Sequence, residues 1–460
     1  MLKLYNSLSR KIEEFRQIHD KEVGFYACGP TVYDYAHIGN LRMMILNDIL
    51  HRTLLFDGFH VKFVMNITDV GHLTSDADTG EDKMEKNAHT AEDVLAIAQK
   101  YEQAFYEDLE ALNILPADKY PKASHHIQEH IALIQKLFER GFAYESDEAI
   151  YFDVSKFPDY NQLTGQNLDD MLLGARQEVV ADPAKKNPID FVLWFKAVGR
   201  YQNHILRWPS PWGDGFPGWH IECSSMSTEY LGQPFDIHTG GIDLKFPHHT
   251  NEIAQSEAAT DKKFVNYWIH GEHLLLDNGK MAKSEGNFLT LKSVVDKGFN
   301  PLAYRYLVLT SHYRSKLNFT WESLTAAQNA LNNLYSEIST YDPAGKVISE
   351  YEQRFQGAIN NDLETPQAIA VLWDLVKSAL PSADKLATLF RFDKVLGLKL
   401  QEVWTAAKVI PETVRTLIDD REVARKAQDF VRADELRRAI ESNGYIVEDT
   451  TDGFRVKKKF

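Results

Sequence analysis

Cysteine is scarce in this chain: 460 residues carry two, Cys28 and Cys223. Two thiols exclude a disulfide framework as what holds so long a fold, and they suit a reducing compartment. Long apolar runs are missing too, so no segment reads as a bilayer span. The opening Met1-Leu2-Lys3-Leu4-Tyr5-Asn6 has an early charge and no continuous apolar core of the secretory kind. The expected location is the cytoplasm, with no membrane contact. Positive charge is in deficit, 51 Lys and Arg against 66 Asp and Glu, a net charge of -15. An acidic surface repels a phosphate backbone at long range, which excludes a protein that coats nucleic acid indiscriminately and makes any nucleic-acid contact local. The sequence shows no internal repeat and no low-complexity tract.

What is present is an ordinary globular composition, 44% apolar and 25% charged, over a length too great for one core. Two to four domains are expected. Val23, Phe25 and Ala27 alternate towards Cys28; Leu41, Met44, Ile45 and Ile49 recur at helical spacing; Val61, Phe63, Met65 and Ile67 alternate again. This predicts a strand, helix, strand unit with a parallel crossover. Ligands of open parallel sheets bind beyond the carboxyl ends of the strands, where Cys28 and the segment 29–40 fall.

From Pro116 to about residue 189 a charged helical stretch and an irregular one suggest an insertion that splits the sheet. The fold class expected is α/β: a Rossmann-like parallel-sheet catalytic domain (1–115 and 190–260) with that insertion (116–189), a loop-rich linking region (261–318), a helical bundle (319–400) and a small C-terminal α+β module (401–460). In the last module Phe430, Ala433, Leu436 and Ile440 form a helical stripe that Asn443-Gly444 stops. Tyr445 to Val447 can then pair with Phe454 to Val456 around Asp452-Gly453.

Three groups of residues carry chemistry. His37-Ile38-Gly39-Asn40 lies where a strand's exit loop meets a helix start, a place suited to phosphate. Lys280-Met281-Ala282-Lys283-Ser284 sits in a polar loop, where two ammonium groups can neutralise charge developing on phosphorus. Alone, the first is read more simply as a polar N-cap turn and the second as a solvated basic loop. The third group is Cys28, Cys223, His248 and Glu252, soft and borderline donors suited to zinc; if Pro247 opens a helix, His248 and Glu252 share one face. Inert buried cysteines beside a core histidine are the bland alternative.

In this order, the first two groups resemble the HIGH and KMSKS signatures of class I aminoacyl-tRNA synthetases, with Asn40 where a second histidine is usual and Ala282 where serine is usual. The runs Cys28-Gly29-Pro30-Thr31-Val32-Tyr33-Asp34, Gly218-Trp219-His220-Ile221-Glu222-Cys223-Ser224 and Asp236 to Glu252 resemble the cysteinyl-tRNA synthetase family in particular. So do Asn66-Ile67-Thr68-Asp69, Ser311-His312-Tyr313-Arg314-Ser315, Arg432-Ala433-Asp434 and Glu448-Asp449-Thr450.

The resemblance implies one Zn2+ per chain on Cys28, Cys223, His248 and Glu252, gripping the substrate thiolate, and Mg2+ entering with ATP. It implies His37, Asn40, Lys280 and Lys283 as catalytic residues. It further implies His37, Gly39, Asn40, His238, Gly240, Gly241, Asp243 and Lys283 around ATP, and Thr68 and Trp219 lining the cysteine pocket. The partners expected are L-cysteine, ATP and tRNA(Cys), with the chain a monomer. Basic residues from Arg425 to Lys459 suit phosphate contact locally within an acidic chain. Val456 stands where the family usually offers a tryptophan for stacking, leaving Phe454 or Tyr445 as the available ring. Two rival readings follow: a cysteine ligase of the same fold acting on an amino-sugar acceptor, for which the C-terminal module is superfluous, and an inactive paralogue, against which the intact lysines and ligand set stand.

Overall fold

The computed structural model describes all residues except 71–72, 76–78, 83–84, 86–87, 167–183, 277–278, 281–287, 451–452 and 460. The chain divides into two compact units: Met1–Leu275 with Gly279–Leu291 and Tyr313–Leu317, and Leu276–Asn278 with Lys292–His312 and Asn318–Phe460.

The first unit is built on the expected strand, helix, strand unit. β1 (Glu22–Ala27) leads through a loop to α1 (Ile38–Phe56), and β2 (His60–Met65) returns parallel to β1 with Phe25 opposite Phe63. The inner residues Val23, Phe25, Tyr26 and Ala27 are all buried, as a parallel strand covered on both faces requires. After two short strands (Leu73–Ser75, Thr79–Asp82) and a long helix (Ala91–Ala111) the chain forms α2 (Ile127–Glu139), then an antiparallel sheet of β3 (Ala143–Glu145), β4 (Ala149–Phe152), β5 (Phe191–Lys196) and β6 (Gly215–Pro217), in spatial order β6-β5-β4-β3. This sheet reaches Pro217, beyond residue 189, where the sequence alone suggests the insertion ends. β5 reads Phe-Val-Leu-Trp-Phe, an unbroken apolar run that periodicity cannot assign to one sheet or the other.

The chain then re-enters the parallel layer through α3 (Trp219–Leu231), β7 (Phe235–Gly241), α4 (His248–Thr260) and β8 (Val265–Gly271). The sheet order is β8-β7-β1-β2, all parallel, so the chain's direction of winding reverses between β1 and β7. That switch point opens a crevice at the carboxyl ends of the two strands. Cys28 leaves β1 there, and β7 ends there in Gly240-Gly241.

The second unit is mainly helical: α5 (Pro301–Leu309), α6 (Trp321–Ser339), α7 (Ser349–Ile359), α8 (Thr365–Lys377), α9 (Ser382–Leu396), α10 (Leu400–Ala407), α11 (Glu412–Lys426) and α12 (Phe430–Ser442). A hairpin of β9 (Tyr445–Thr450) and β10 (Gly453–Lys458) follows as the sequence predicts, but with Val447 opposite Val456 and Asp449 opposite Phe454, a register displaced from the expected pairing of 445–447 with 454–456 because the strands run on to Thr450 and Lys458. Gly444, at φ 79°, supplies the left-handed residue after the α12 cap. The helical stripe needs one correction. Ala433, Leu436 and Ile440 are buried, but Phe430 is 63% exposed, because it begins α12, before the face that packs on α11 is established. No described helix is long and apolar enough to cross a membrane.

One buried histidine outside the crevice holds α3 in place. His130 on α2 is fully buried, its Nδ1 2.5 Å from Ser225 Oγ on α3 and its Nε2 3.1 Å from the Ala123 carbonyl. Burial pushes its pKa down to about 3. The unfolded chain takes up this proton below its ordinary pKa of about 6.5 while the folded chain does not, so stability is complete above that pH and falls as pH drops towards the folded value. The expected outcome is an unfolding midpoint that declines from pH 7 to pH 5, with a slope that His130→Gln reduces by up to ~1.4 kcal/mol per pH unit. Denaturant titrations at stepped pH check this; an unchanged slope in the variant contradicts it.

Candidate active site

Four donor atoms converge at the switch point. Cys28 follows β1; Cys223 lies one turn into α3; His248 and Glu252 are i and i+4 on α4, which starts directly after Pro247 as expected. Their ligand atoms lie within 4.8 Å of one another. The two sulfurs are 4.0 Å apart, far beyond a disulfide bond of about 2.05 Å. Two thiolates each about 2.3 Å from a tetrahedral zinc would sit roughly 3.8 Å apart, close to what is seen. His248 Nε2 and Glu252 Oε1 are 3.2 Å apart. Glu252 Oε1 is buried and receives no hydrogen bond, an acceptor aimed into the cluster.

Electrostatics point the same way. Burial, reinforced by Cys223 and by the charge of Glu252, pushes the Cys28 thiol well above its usual range. Burial raises Cys223, and raises the Glu252 carboxyl against the opposing pull of His238. Three groups that would be anions when ionised are thus crowded together in a dry place, and a divalent cation is what reverses that preference. The residues present fit zinc.

Around these four stands a shell of histidines. His238, on β7 and wholly buried, places Nε2 2.9 Å from Glu252 Oε2, the oxygen turned away from His248. His220 Nδ1 lies 2.9 Å from His248 Nδ1, which orients the ring so that Nε2 faces the cluster. His249 Nε2 is 3.3 Å from Cys28 Sγ, and its Nδ1 is 2.8 Å from His270 Nε2. Burial holds His220 and His270 at pKa values of about 3 and His249 well below its usual range, so these three rings are neutral. A second combination, Cys28, His238, His249 and Glu252, also converges. Only the first contains both sulfurs, and in it His238 is left to support the carboxylate. The sequence reading gave no role to His220, His249, His270 or Glu222; their only signal was an unusual density of polar residues within otherwise apolar elements.

The pocket-lining candidates are close by. Trp219 opens α3 and its ring centroid is 4.2 Å from that of His248. Thr68, after β2, is buried, and its hydroxyl donates to Glu222 Oε2 at 2.8 Å. Gly240 permits the close packing of β7 on α4: a Cβ there would lie 2.6 Å from the His249 ring. Asp243 sits in the short 3-10 turn Ile242–Lys245 beyond Gly241.

His37 and Asn40 have a local duty. His37 caps α1, its Nδ1 accepting from the Asn40 N–H at 3.0 Å, while Asn40 Oδ1 accepts from the His37 N–H at 3.2 Å. This reciprocal capping box satisfies two otherwise orphaned donors. The same segment meets the residues just after the lysine loop: the Ile38 N–H donates to the Leu289 carbonyl at 2.8 Å, and the His37 ring stands 5.7 Å, edge to face, from Phe288. Lys280 belongs to the short strand Gly279–Lys280, and Lys283 lies outside the described residues.

A parallel sheet with a donor cluster at its switch point, and with a capped HIGH-like turn brought against the segment that follows the lysine loop, defines the class. The family model "tRNA synthetases class I (C) catalytic domain" matches residues 14–329, and "Cysteinyl-tRNA ligase anticodon binding domain" matches residues 408–456. The chain is 49% identical over 457 residues to a cysteine--tRNA ligase 1 of Burkholderia lata, covering 99% of this chain and 96% of that protein. It is 46% identical over 483 residues to a cysteine--tRNA ligase of Treponema denticola, covering 97% and 98%. The fold is also that of Mycobacterium tuberculosis methionyl-tRNA synthetase in complex with methionyl-adenylate, at TM-score 0.54 and 13% identity over 83% of this chain and 91% of that one. The chain belongs to the cysteine--tRNA ligase family.

The capping box yields a direct expectation. Asn40→Ala removes the acceptor for the His37 N–H and should lower stability by about 0.5–1 kcal/mol, whereas Asn40→Asp, which keeps an acceptor, should cost less. Thermal unfolding of the two variants beside the parent protein checks the order.

Proposed function

We propose that this chain activates L-cysteine with Mg-ATP to give cysteinyl-adenylate and pyrophosphate, and transfers the cysteinyl group to the terminal adenosine of tRNA(Cys). The observation that carries the reading is the convergence of Cys28, Cys223, His248 and Glu252 beside Trp219 at the mouth of a class I synthetase sheet. When bound there, zinc favours a thiolate over a hydroxyl and lowers the thiol's pKa, which separates cysteine from serine without an editing site.

The chain's own residues do the rest. Trp219 and Thr68 bound the amino-acid pocket. His238 and His220 hold the Glu252 carboxylate and the His248 imidazole in fixed orientations. Because His238 is buried against Glu252, its part is support of the metal centre, and the nucleotide falls to His37, Gly39, Asn40, Gly240, Gly241, Asp243 and Lys283. The ammonium groups of Lys280 and Lys283 offset charge that develops on the phosphates as the cysteine carboxylate attacks the α-phosphorus. No covalent enzyme intermediate is needed. The match of residues 408–456 to an anticodon-binding domain supports tRNA as acceptor and disfavours an amino sugar. The enzyme is proposed to work as a cytoplasmic monomer with one zinc per chain.

Two outcomes are expected. Cysteine-dependent pyrophosphate exchange should be present, should exceed serine-dependent exchange by orders of magnitude, and should disappear on chelation and return with added zinc. Exchange that survives complete metal removal refutes the zinc reading. Lys283→Ala should lower the exchange rate by roughly 10²-fold or more while leaving zinc content unchanged. Cysteinylation of a tRNA(Cys) transcript, set beside ligation to an amino sugar, identifies the acceptor.

A further inference from the structure

Glu222 is a wholly buried carboxylate that the reaction just described does not use. It lies in the first turn of α3, one residue before Cys223, and accepts a hydrogen bond from the Thr68 hydroxyl at 2.8 Å. Thr68 Oγ1 in turn accepts from Asn66 Nδ2 at 3.1 Å, and Asn66 Oδ1 accepts from the Gly29 N–H at 2.9 Å. Asn66 and Thr68 are 2% and 1% exposed, so water does not compete for these bonds. The relay therefore runs from the neighbour of one sulfur to the neighbour of the other.

Its two ends are anchored differently. At the Cys28 end the loops after β1 and β2 are zipped together: the Val32 N–H donates to the Thr68 carbonyl and the Thr68 N–H to the Pro30 carbonyl, each at 3.1 Å. Gly29 presses so closely on this seam that a Cβ would lie 1.7 Å from the Asn66 carbonyl oxygen. At the Cys223 end, the Thr68 hydroxyl donating to Glu222 is a side-chain link that fastens α3 to the seam. A backbone N–H can only donate, so Gly29 fixes the Asn66 oxygen towards itself, the Asn66 amide then donates to the Thr68 hydroxyl, and the Thr68 proton is left for Glu222 Oε2. The relay therefore starts at the Gly29 N–H and ends on the Glu222 carboxyl, the acceptor that α3 supplies.

We propose that Glu222 is a positioning residue for the metal centre, tying helix α3 with Cys223 to the loops that carry Cys28 through Thr68 and Asn66. The proposal rests on the zinc reading above. Holding two sulfurs at a chelating separation before the ion arrives raises affinity, and loss of such outer partners typically costs about 10–100-fold.

The test uses the full chain stripped of metal. Zinc affinity is measured by competition with a chromophoric chelator, and Co2+ is substituted to read its thiolate charge-transfer and d–d bands. The expected result is that Thr68→Val and Glu222→Met, each of which removes one partner of the link, weaken zinc binding about tenfold or more and shift the Co2+ bands, that Thr68→Ser keeps parental values, and that the double variant Thr68→Val/Glu222→Met is no worse than the weaker single. KM for cysteine should rise while KM for ATP stays constant, a split that general loosening of the fold would not give. Parental zinc affinity and Co2+ spectra in the variants overturn the proposal alone. A parent protein that takes up no metal overturns the zinc reading and the proposal with it. Should Thr68→Val fail to fold, Glu222→Met, which keeps the side-chain length without an acceptor, decides.

Discussion

Crowding of Cys28, Cys223 and Glu252 within one dry pocket is the constraint around which the catalytic unit is arranged. Each of these groups has its pKa raised by burial, so the dry pocket by itself disfavours their anions. A divalent cation turns the same crowding into chelation. Burial keeps His220, His249 and His270 neutral, and neutral imidazoles can orient ligands without competing for the site's charge. His238 and His220 each hold the far side of one ligand, so the near atoms face the cluster.

The position of this cluster follows from sheet topology. Reversal of winding between β1 and β7 opens one crevice, and the four donors arrive there from three different local structures: a strand exit, the first turns of α3 and the start of α4. Trp219 stands beside His248 because both are first residues of helices that begin at the same crevice. Local folding and chemistry share residues here. His37 and Asn40 close the capping box that starts α1, and that same turn is the stretch expected at the nucleotide.

Much of this was legible beforehand. Alternation in 23–27 and 61–67 with a helical stripe between them gave β1, α1 and β2, because period 2 and period 3.6 are set by backbone geometry alone. The helix stop at Asn443-Gly444 and the hairpin after it were also readable, though its register was not. The extent of the antiparallel sheet was not: β5 is apolar at every inner position, and a strand buried on both faces carries no period to read. Phe430 was misplaced in its stripe because a helix's first residue can satisfy the period without facing the core. His238 looked like a nucleotide residue beside two glycines, and only the fold showed its imidazole against Glu252.

By itself, the sequence determined the ligand types, the helix register that sets His248 beside Glu252, and the signature turns, since each depends on residues close along the chain. Tertiary structure alone decided that Cys28 and Cys223, 195 residues apart, stand 4.0 Å from each other, that the neutral rings of His220, His249 and His270 surround the cluster, and that Asn66, Thr68 and Glu222 form one relay. Those are contacts between distant segments, fixed by how layers pack, and no local pattern of residues encodes the distance between two strand ends.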